Sequence, residues 1–179
     1  GPSASQAVLQ ALQGFDAWFF TRISGDEVEA RKKARALEFV WRASSSLLPN
    51  VSEIFAHVFE SYYCMPHEFQ FEWNPNASAA VTNASAMLAL AKHLANVTRT
   101  RSGWFRTRHV LIPWGCDYMY QDANLTFRGT DQLIDVVNAH TEQWGVRARY
   151  GTASEYVAAL HAAATAAAAP LPPPPPPPP

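Results

Sequence analysis

The sequence predicts an α/β fold with a parallel sheet, and three observations predict it. Short apolar runs of strand length alternate with stretches of helical period. Two capping boxes, Ser3-Ala-Ser-Gln6 and Thr152-Ala-Ser-Glu155, mark helix starts. The resulting order is helix, strand, helix, loop, helix, strand, helix, strand, helix. That alternation argues parallel strands joined by crossover helices.

After Ser3, Val8, Leu9 and Leu12 recur at helical spacing, and Gly14 ends the helix. Phe15 to Phe20, with Trp18, Phe19 and Phe20 in a row, forms a short buried strand. Ser24-Gly25-Asp26 opens a second helix. Val28, Ala34, Leu37, Val40 and Trp41 share its stripe to about residue 46, and Pro49 ends it. Residues 61–80, with Tyr62, Tyr63, Cys64, Pro66 and Pro75, are expected as loop. Ala79 to Val97 is expected as helix and Arg108 to Trp114 as strand. Thr130-Asp131 should cap a helix with Leu133, Ile134, Val137 and Trp144 inward. Val146 to Tyr150 is expected as a further strand. Tyr156, Ala159 and Leu160 then line the last helix. No internal repeat is visible.

At 179 residues the chain can bury a core or form part of a larger one. Its 48% hydrophobic and 16% charged residues place it among globular chains. A formal net charge of −1 leaves no footprint for nucleic acid. The basic run Arg31-Lys32-Lys33 lies within a helical pattern and is expected as a solvated face. No apolar run reaches the ~18 residues of a membrane span. Cys64 and Cys116 fit neither a disulfide framework nor a zinc knuckle, so free or loosely paired thiols are expected. Five of the seven asparagines (Asn50, Asn76, Asn83, Asn96 and Asn124) stand in Asn-X-Ser/Thr. That density points to a lumenal or secreted protein.

In parallel α/β sheets, ligands bind beyond the carboxyl ends of strands. Two expected strand ends carry charge: the first exits at Thr21-Arg22, and the strand ending at Trp114 exits at Asp117. A cation and an acid among aromatics suit a sugar or an anion. Neighbouring Trp114, Tyr118 and Tyr120 should partly desolvate Asp117, which favours a general acid. The bland alternative has Arg22 capping a loop, with Asp117 paired to it or to backbone N–H groups. His57, His67, His93, His109 and His140 show no metal spacing and receive no role.

The stretch GCDYMYQDANLTFRGTDQLIDVVNAH resembles the acid-bearing segment of the zinc-dependent class II α-mannosidases, glycoside hydrolase family 38. GFDAWFFTRI, EFVWRASSSL and YGTASEYVAAL resemble other parts of the same catalytic domain, in the same order. VWRASSSL and YQDANLTF are nearer the lysosomal branch than the Golgi branch. The resemblance implies a retaining glycosidase, with Zn²⁺ holding mannose hydroxyls. It implies Asp117 as general acid/base, although Cys116 stands where the family has Ser or Asp. It implies Arg22 beside the nucleophile and zinc site, and Tyr63 in contact with substrate. The nucleophile's Asp-Pro-Phe-Gly motif would meet this chain at Gly1, and the zinc ligands have no counterpart.

The expectation is therefore a parallel-sheet (β/α) piece of a larger catalytic domain over residues 1–162, then a low-complexity Ala/Pro tail over 163–179. Its substrate would be α-linked mannose of N-glycans, in the lysosome, vacuole or secretory lumen. The alternative is a non-catalytic carbohydrate-binding or interaction protein on the same scaffold. Pro172 to Pro179 would form an extended rod. It would be a linker or the trace of a truncated gene, with a polyproline-binding domain as the weaker alternative.

Overall fold

The computed structural model describes residues 2–167; Gly1, the polyproline tail and the side chains of residues 49 and 50 lie outside the description. The described chain forms two compact units. The first takes in the chain up to Tyr62, Gly103–His109 and the stretch from Ala153. The second is Tyr63–Ser102 with Val110–Thr152.

In the first unit, α1 (Ala4–Leu12) starts where the capping box places it: the Ser3 hydroxyl accepts from the Gln6 N–H at 3.2 Å. Strand β1 (Ala17–Phe20) follows Gly14, whose φ of +84° leaves the helix. Helix α2 (Gly25–Ala34) then stops well short of residue 46. Arg35 takes the left-handed conformation, with φ 51° and ψ 44°. Its N–H donates to Lys32 O, and the next N–H, of Ala36, reaches back to Arg31 O at 2.9 Å. This paired closure is a Schellman motif. Beyond it Glu38–Arg42 is strand β2, so Val40 and Trp41 leave the helical stripe for a sheet. Their β-branched and aromatic side chains favour a pleated surface. The basic run ends α2, but only Lys33 is a solvated residue: the Arg31 and Lys32 side chains lie over the Phe39 and Trp104 rings and pair with Glu27 at 2.7 Å and Glu29 at 2.8 Å, which corrects the expected solvated face.

One turn of helix, α3 (Pro49–Ser52), leads into β3 (Glu53–Val58), a strand the sequence reading did not assign. It is the centre of a three-stranded sheet of order β1-β3-β2. β1 runs parallel to it, Ala17 opposite Phe55 and Phe20 opposite Val58. β2 runs antiparallel, Glu38 opposite His57. The sheet is thus mixed, because β2 returns along β3 without a crossover helix. His57 is fully buried; its Nδ1 lies 2.9 Å from Glu38 Oε1, which also accepts the Tyr156 hydroxyl at 2.6 Å. Phe105 stacks on the imidazole at 5.6 Å. Tyr156 belongs to α8 (Ala153–Ala166), which runs past residue 162. A histidine given no role from spacing therefore sits in a buried polar trio.

The second unit is helical. Residues 61–80, expected as loop, contain a 3-10 turn, His67–Phe69, and α4 (Pro75–Ala80), capped by Asn74. Helix α5 (Ala84–Ser102) starts five residues later than expected, because Asn83 caps it. Helix α6 (Ala123–Ala139) starts well before Thr130, because Asp122 Oδ1 accepts from the Leu125 N–H at 3.1 Å. A short α7 (Thr141–Trp144) follows. Phe69, Phe71, Met87, Ala91, Leu133, Val137 and Trp144 are buried together.

The two expected strands, Arg108 to Trp114 and Val146 to Tyr150, have no strand assignment. Side chains of α6 replace the ladder for the second. Asn138 Nδ2 donates to Ala148 O and its Oδ1 accepts from Ala148 N, both at 2.9 Å. The Tyr150 hydroxyl donates to Asp131 at 2.8 Å.

At Gly129, α6 meets the face of Phe71, and a Cβ there would lie 2.5 Å from two ring carbons. Glycine to alanine inside a helix ordinarily stabilises by about 1 kcal/mol. Here the clash reverses the sign: Gly129→Ala should destabilise by about 1–3 kcal/mol, seen as a lowered urea midpoint. A raised midpoint would contradict this packing.

Candidate active site

The second unit builds its candidate site from two antiparallel tripeptides, Tyr63-Cys64-Met65 and Gly115-Cys116-Asp117. Met65 N–H donates to Gly115 O at 2.8 Å, Cys64 and Cys116 form a disulfide, and Tyr63 OH donates to Asp117 Oδ2 at 2.9 Å. Of the expected free or loosely paired thiols, the disulfide excludes the free form. Spacing patterns identify frameworks of several bridges, and a single long-range bridge has no spacing rule. Each cysteine adjoins one residue expected at the site, Tyr63 or Asp117, and that adjacency was the available signal.

Asp117 stands at the tip of a tight turn closed by the Met119 N–H on Cys116 O at 3.2 Å. Tyr118 occupies the turn's third position with φ +61°, where glycine is usual. Tyr120 is left-handed too, with φ +67°. Such residues cost of order 1–3 kcal/mol each and persist where their surroundings over-determine them.

Three surroundings do so here. The disulfide holds one side of the turn. Met119, 9% exposed, anchors its base. Glu72 holds the other side: Oε1 accepts the Tyr120 N–H at 2.8 Å and the Thr126 hydroxyl at 2.5 Å, and Oε2 accepts the N–H groups of Gln121 and Asp122 at 3.0 and 3.2 Å. Burial pushes the Glu72 carboxyl up, but the Thr126 hydroxyl and the three N–H groups together outweigh it and hold it below the usual range. Glu72 was not singled out from sequence. It is a lone acid between Phe71 and Trp73, and its four donors come from about fifty residues away.

The aromatics brace this turn. Tyr120 OH donates to Trp114 O at 3.0 Å, and Trp114 Nε1–H donates to Thr130 Oγ1 at 2.8 Å while its ring stacks on Phe69. Tyr118 is 83% exposed, and Asp117 is exposed as well. The expected desolvation of Asp117 by its neighbours is therefore corrected: Trp114 and Tyr120 turn their rings into the core packing.

Arg22 belongs to the first unit. β1 and β3 are parallel, so both carboxyl ends open on one side, and there Arg22 donates through Nη2 to the Tyr62 hydroxyl with its guanidinium 5.2 Å from the ring centroid. Arg22 is left-handed, φ +63°. A groove of about 380 Å³ lies beside it, lined among others by Asp26, Glu29 and Glu60. Arg22 thus follows the carboxyl end of β1, the position expected from sequence. Among the described residues no three His, Cys, Asp or Glu side chains gather in a set that could hold a metal ion. These residues do not fit a zinc site.

Replacing Glu72 should loosen the turn. Glu72→Gln removes the charge and half of the acceptor strength, so stability at neutral pH should fall by on the order of 1 kcal/mol after solvent screening. Its folded value is depressed below 4.5, so the contribution is present above 4.5 and lost as pH falls through the lower folded value. Urea midpoints of parent and variant should therefore differ at pH 7 and converge in acid. A pH-independent gap would remove the charge from the account.

Residues 1–173 match the family described as Glycosyl hydrolases family 38 N-terminal domain. The chain is 40% identical to the human epididymis-specific alpha-mannosidase over 183 aligned positions, covering 90% of this chain and 18% of that protein. It is 32% identical to the lysosomal alpha-mannosidases of Dictyostelium discoideum and of Bos taurus, covering 91% of this chain and 16% and 17% of theirs. The chain thus spans under a fifth of the length of these relatives. It belongs to the glycosyl hydrolase family 38 N-terminal domain family, the family of the α-mannosidases.

Proposed function

We propose that this chain supplies the general acid/base part of a retaining α-mannosidase acting on terminal α-linked mannose of N-glycans. The single observation that carries the reading is the Tyr63–Asp117 pair. It is presented at the tip of a strained turn and locked by the adjoining Cys64–Cys116 disulfide. Sites that hold proton donors rigidly near solvent-accessible space suit glycoside hydrolysis, where the proton must meet the leaving oxygen.

In this reading Asp117, protonated, gives its proton to the glycosidic oxygen as the C–O bond breaks, and the sugar passes to a second carboxyl group outside the described residues. The Asp117 carboxylate left behind accepts the Tyr63 hydroxyl on Oδ2. It then takes a proton from the water that releases mannose, which restores the acid. Arg22, with Tyr62, supplies a fixed cation for substrate hydroxyls or a neighbouring carboxylate. The zinc of the complete enzyme would be held by residues other than those described. The disulfide and the five sequons support a lumenal setting. Lysosomal relatives support the lysosome or vacuole before the Golgi. No helix among the described residues is long and apolar enough to cross a membrane.

In the full-length protein that carries this chain, Asp117→Asn should lower turnover of unactivated mannosides by ~10²–10⁴-fold. Aryl mannosides with good leaving groups should lose less in the first step. Undiminished turnover would refute the assignment. Mannoside binding without turnover in the parent would favour a non-catalytic carbohydrate-binding protein. Titrated alone, this 179-residue chain should take up no tightly bound stoichiometric zinc; such uptake would overturn the placing of the metal outside it.

A further inference from the structure

Sequons alone do not say which asparagines carry sugar, because all of them match the same short pattern. The structure separates them. Four of the sequon asparagines have described side chains, and three of these stand inside helices: Asn76 in α4, Asn96 in α5 and Asn124 in α6. Asn83 stands outside, in the turn between α4 and α5. Thr82, Asn83, Ala84 and Ser85 are all exposed, so both the acceptor amide and the sequon hydroxyl face solvent.

The atoms of Asn83 divide between two tasks. Its Oδ1 accepts the N–H groups of Ser85 and Ala86, each at 3.1 Å, and so caps α5. Glycosylation uses the other atom, Nδ2, and leaves the amide oxygen an acceptor. Cap and glycan are therefore compatible on one side chain. At Asn124 the sequon hydroxyl is committed: Thr126 is fully buried and donates to Glu72. Asn96 lies within the body of α5, with Val97 and Thr98 half-buried after it. Helical turns form in about a microsecond, far faster than residues are added during synthesis. A sequon in the body of a helix thus has less time in open form than one that starts at the helix cap, as Asn83-Ala84-Ser85 does.

The Cys64–Cys116 disulfide supplies the second line of argument, since it places the folded chain in an oxidising compartment, where the glycosylation machinery also works. We infer that Asn83 is an N-glycan acceptor whose side chain also caps helix α5. The donor is a lipid-diphosphate oligosaccharide. A bond forms between Asn83 Nδ2 and the anomeric carbon as the carbon–oxygen bond to the diphosphate breaks. The lipid diphosphate leaves, and Nδ2 gives up one proton. This inference is independent of the mannosidase reading.

The test is translation of the full chain behind a cleavable signal, in the presence of microsomes. Chain protected from added protease is collected, so the readout does not depend on how well any variant folds. Amidase release in heavy-oxygen water converts a glycosylated asparagine to labelled aspartate, which mass spectrometry locates. Asn83 should carry the label. Ser85→Ala removes the sequon but keeps the cap, and Asn83→Asp removes the acceptor while keeping a capping oxygen. Each should lose one glycan step in gel mobility. Translocated chain with Asn83 unlabelled, whether or not other sequons are labelled, would overturn the inference. So would an unchanged mobility of the Ser85→Ala chain.

Discussion

Cys64 and Cys116 stand 52 residues apart in sequence, and the bond between them sets the register on which the candidate acid depends. With it, Met65 faces Gly115 and Tyr63 faces Asp117, so two short segments meet as an antiparallel pair without belonging to any sheet. Closing a loop of that length removes conformational entropy from the unfolded chain equivalent to about 4 kcal/mol in the chain-entropy account. That is comparable with the strain of the two left-handed tyrosines that follow, of order 1–3 kcal/mol each. A turn with tyrosine in a place suited to glycine can then be the folded state and not an excursion.

The disulfide fixes one flank of the turn, and a carboxylate fixes the other. Glu72 satisfies backbone N–H groups that precede α6 and would otherwise lack an intrahelical partner. A negative charge there also suits the helix macrodipole. One side chain therefore caps a helix, holds a loop and braces the residue that the mannosidase reading uses. Trp114 and Tyr120 complete the frame, Trp114 by donating to the Thr130 hydroxyl and Tyr120 by donating to the Trp114 carbonyl. Aromatics around an acid invited a sugar-platform reading; here they are the support under the acid.

The first unit has a different organising contact. Its central strand carries His57 directly opposite Glu38, and Tyr156 adds a third hydrogen-bonding group from α8. Buried polar groups are tolerable when they satisfy one another and costly when separated. This trio therefore favours one register of β2 on β3 and one placement of α8. The parallel pairing of β1 with β3 then delivers Arg22 and Tyr62 to the same edge.

By itself the sequence determined the features whose causes are local. Ser3 starts α1 because its hydroxyl bonds an N–H three residues on. Phe15 to Phe20 contains β1, the box at Thr152 precedes α8, and the place of Arg22 just after a strand was legible. Asp117 and Tyr63 were legible as candidates from the motif around them. Tertiary structure decided the rest, and each case turns on a distant partner. Val40 and Trp41 fit a helical stripe equally well until Arg35 closes α2 and β3 offers an edge to pair with. Residues 146–150 look like a strand, but the groups that hold them are Asn138 and Asp131 of α6, not a neighbouring strand. The partner of Cys64, and the donors that surround Glu72, lie about fifty residues along the chain. Period and capping residues are properties of short segments, whereas these contacts exist only once the chain has closed upon itself.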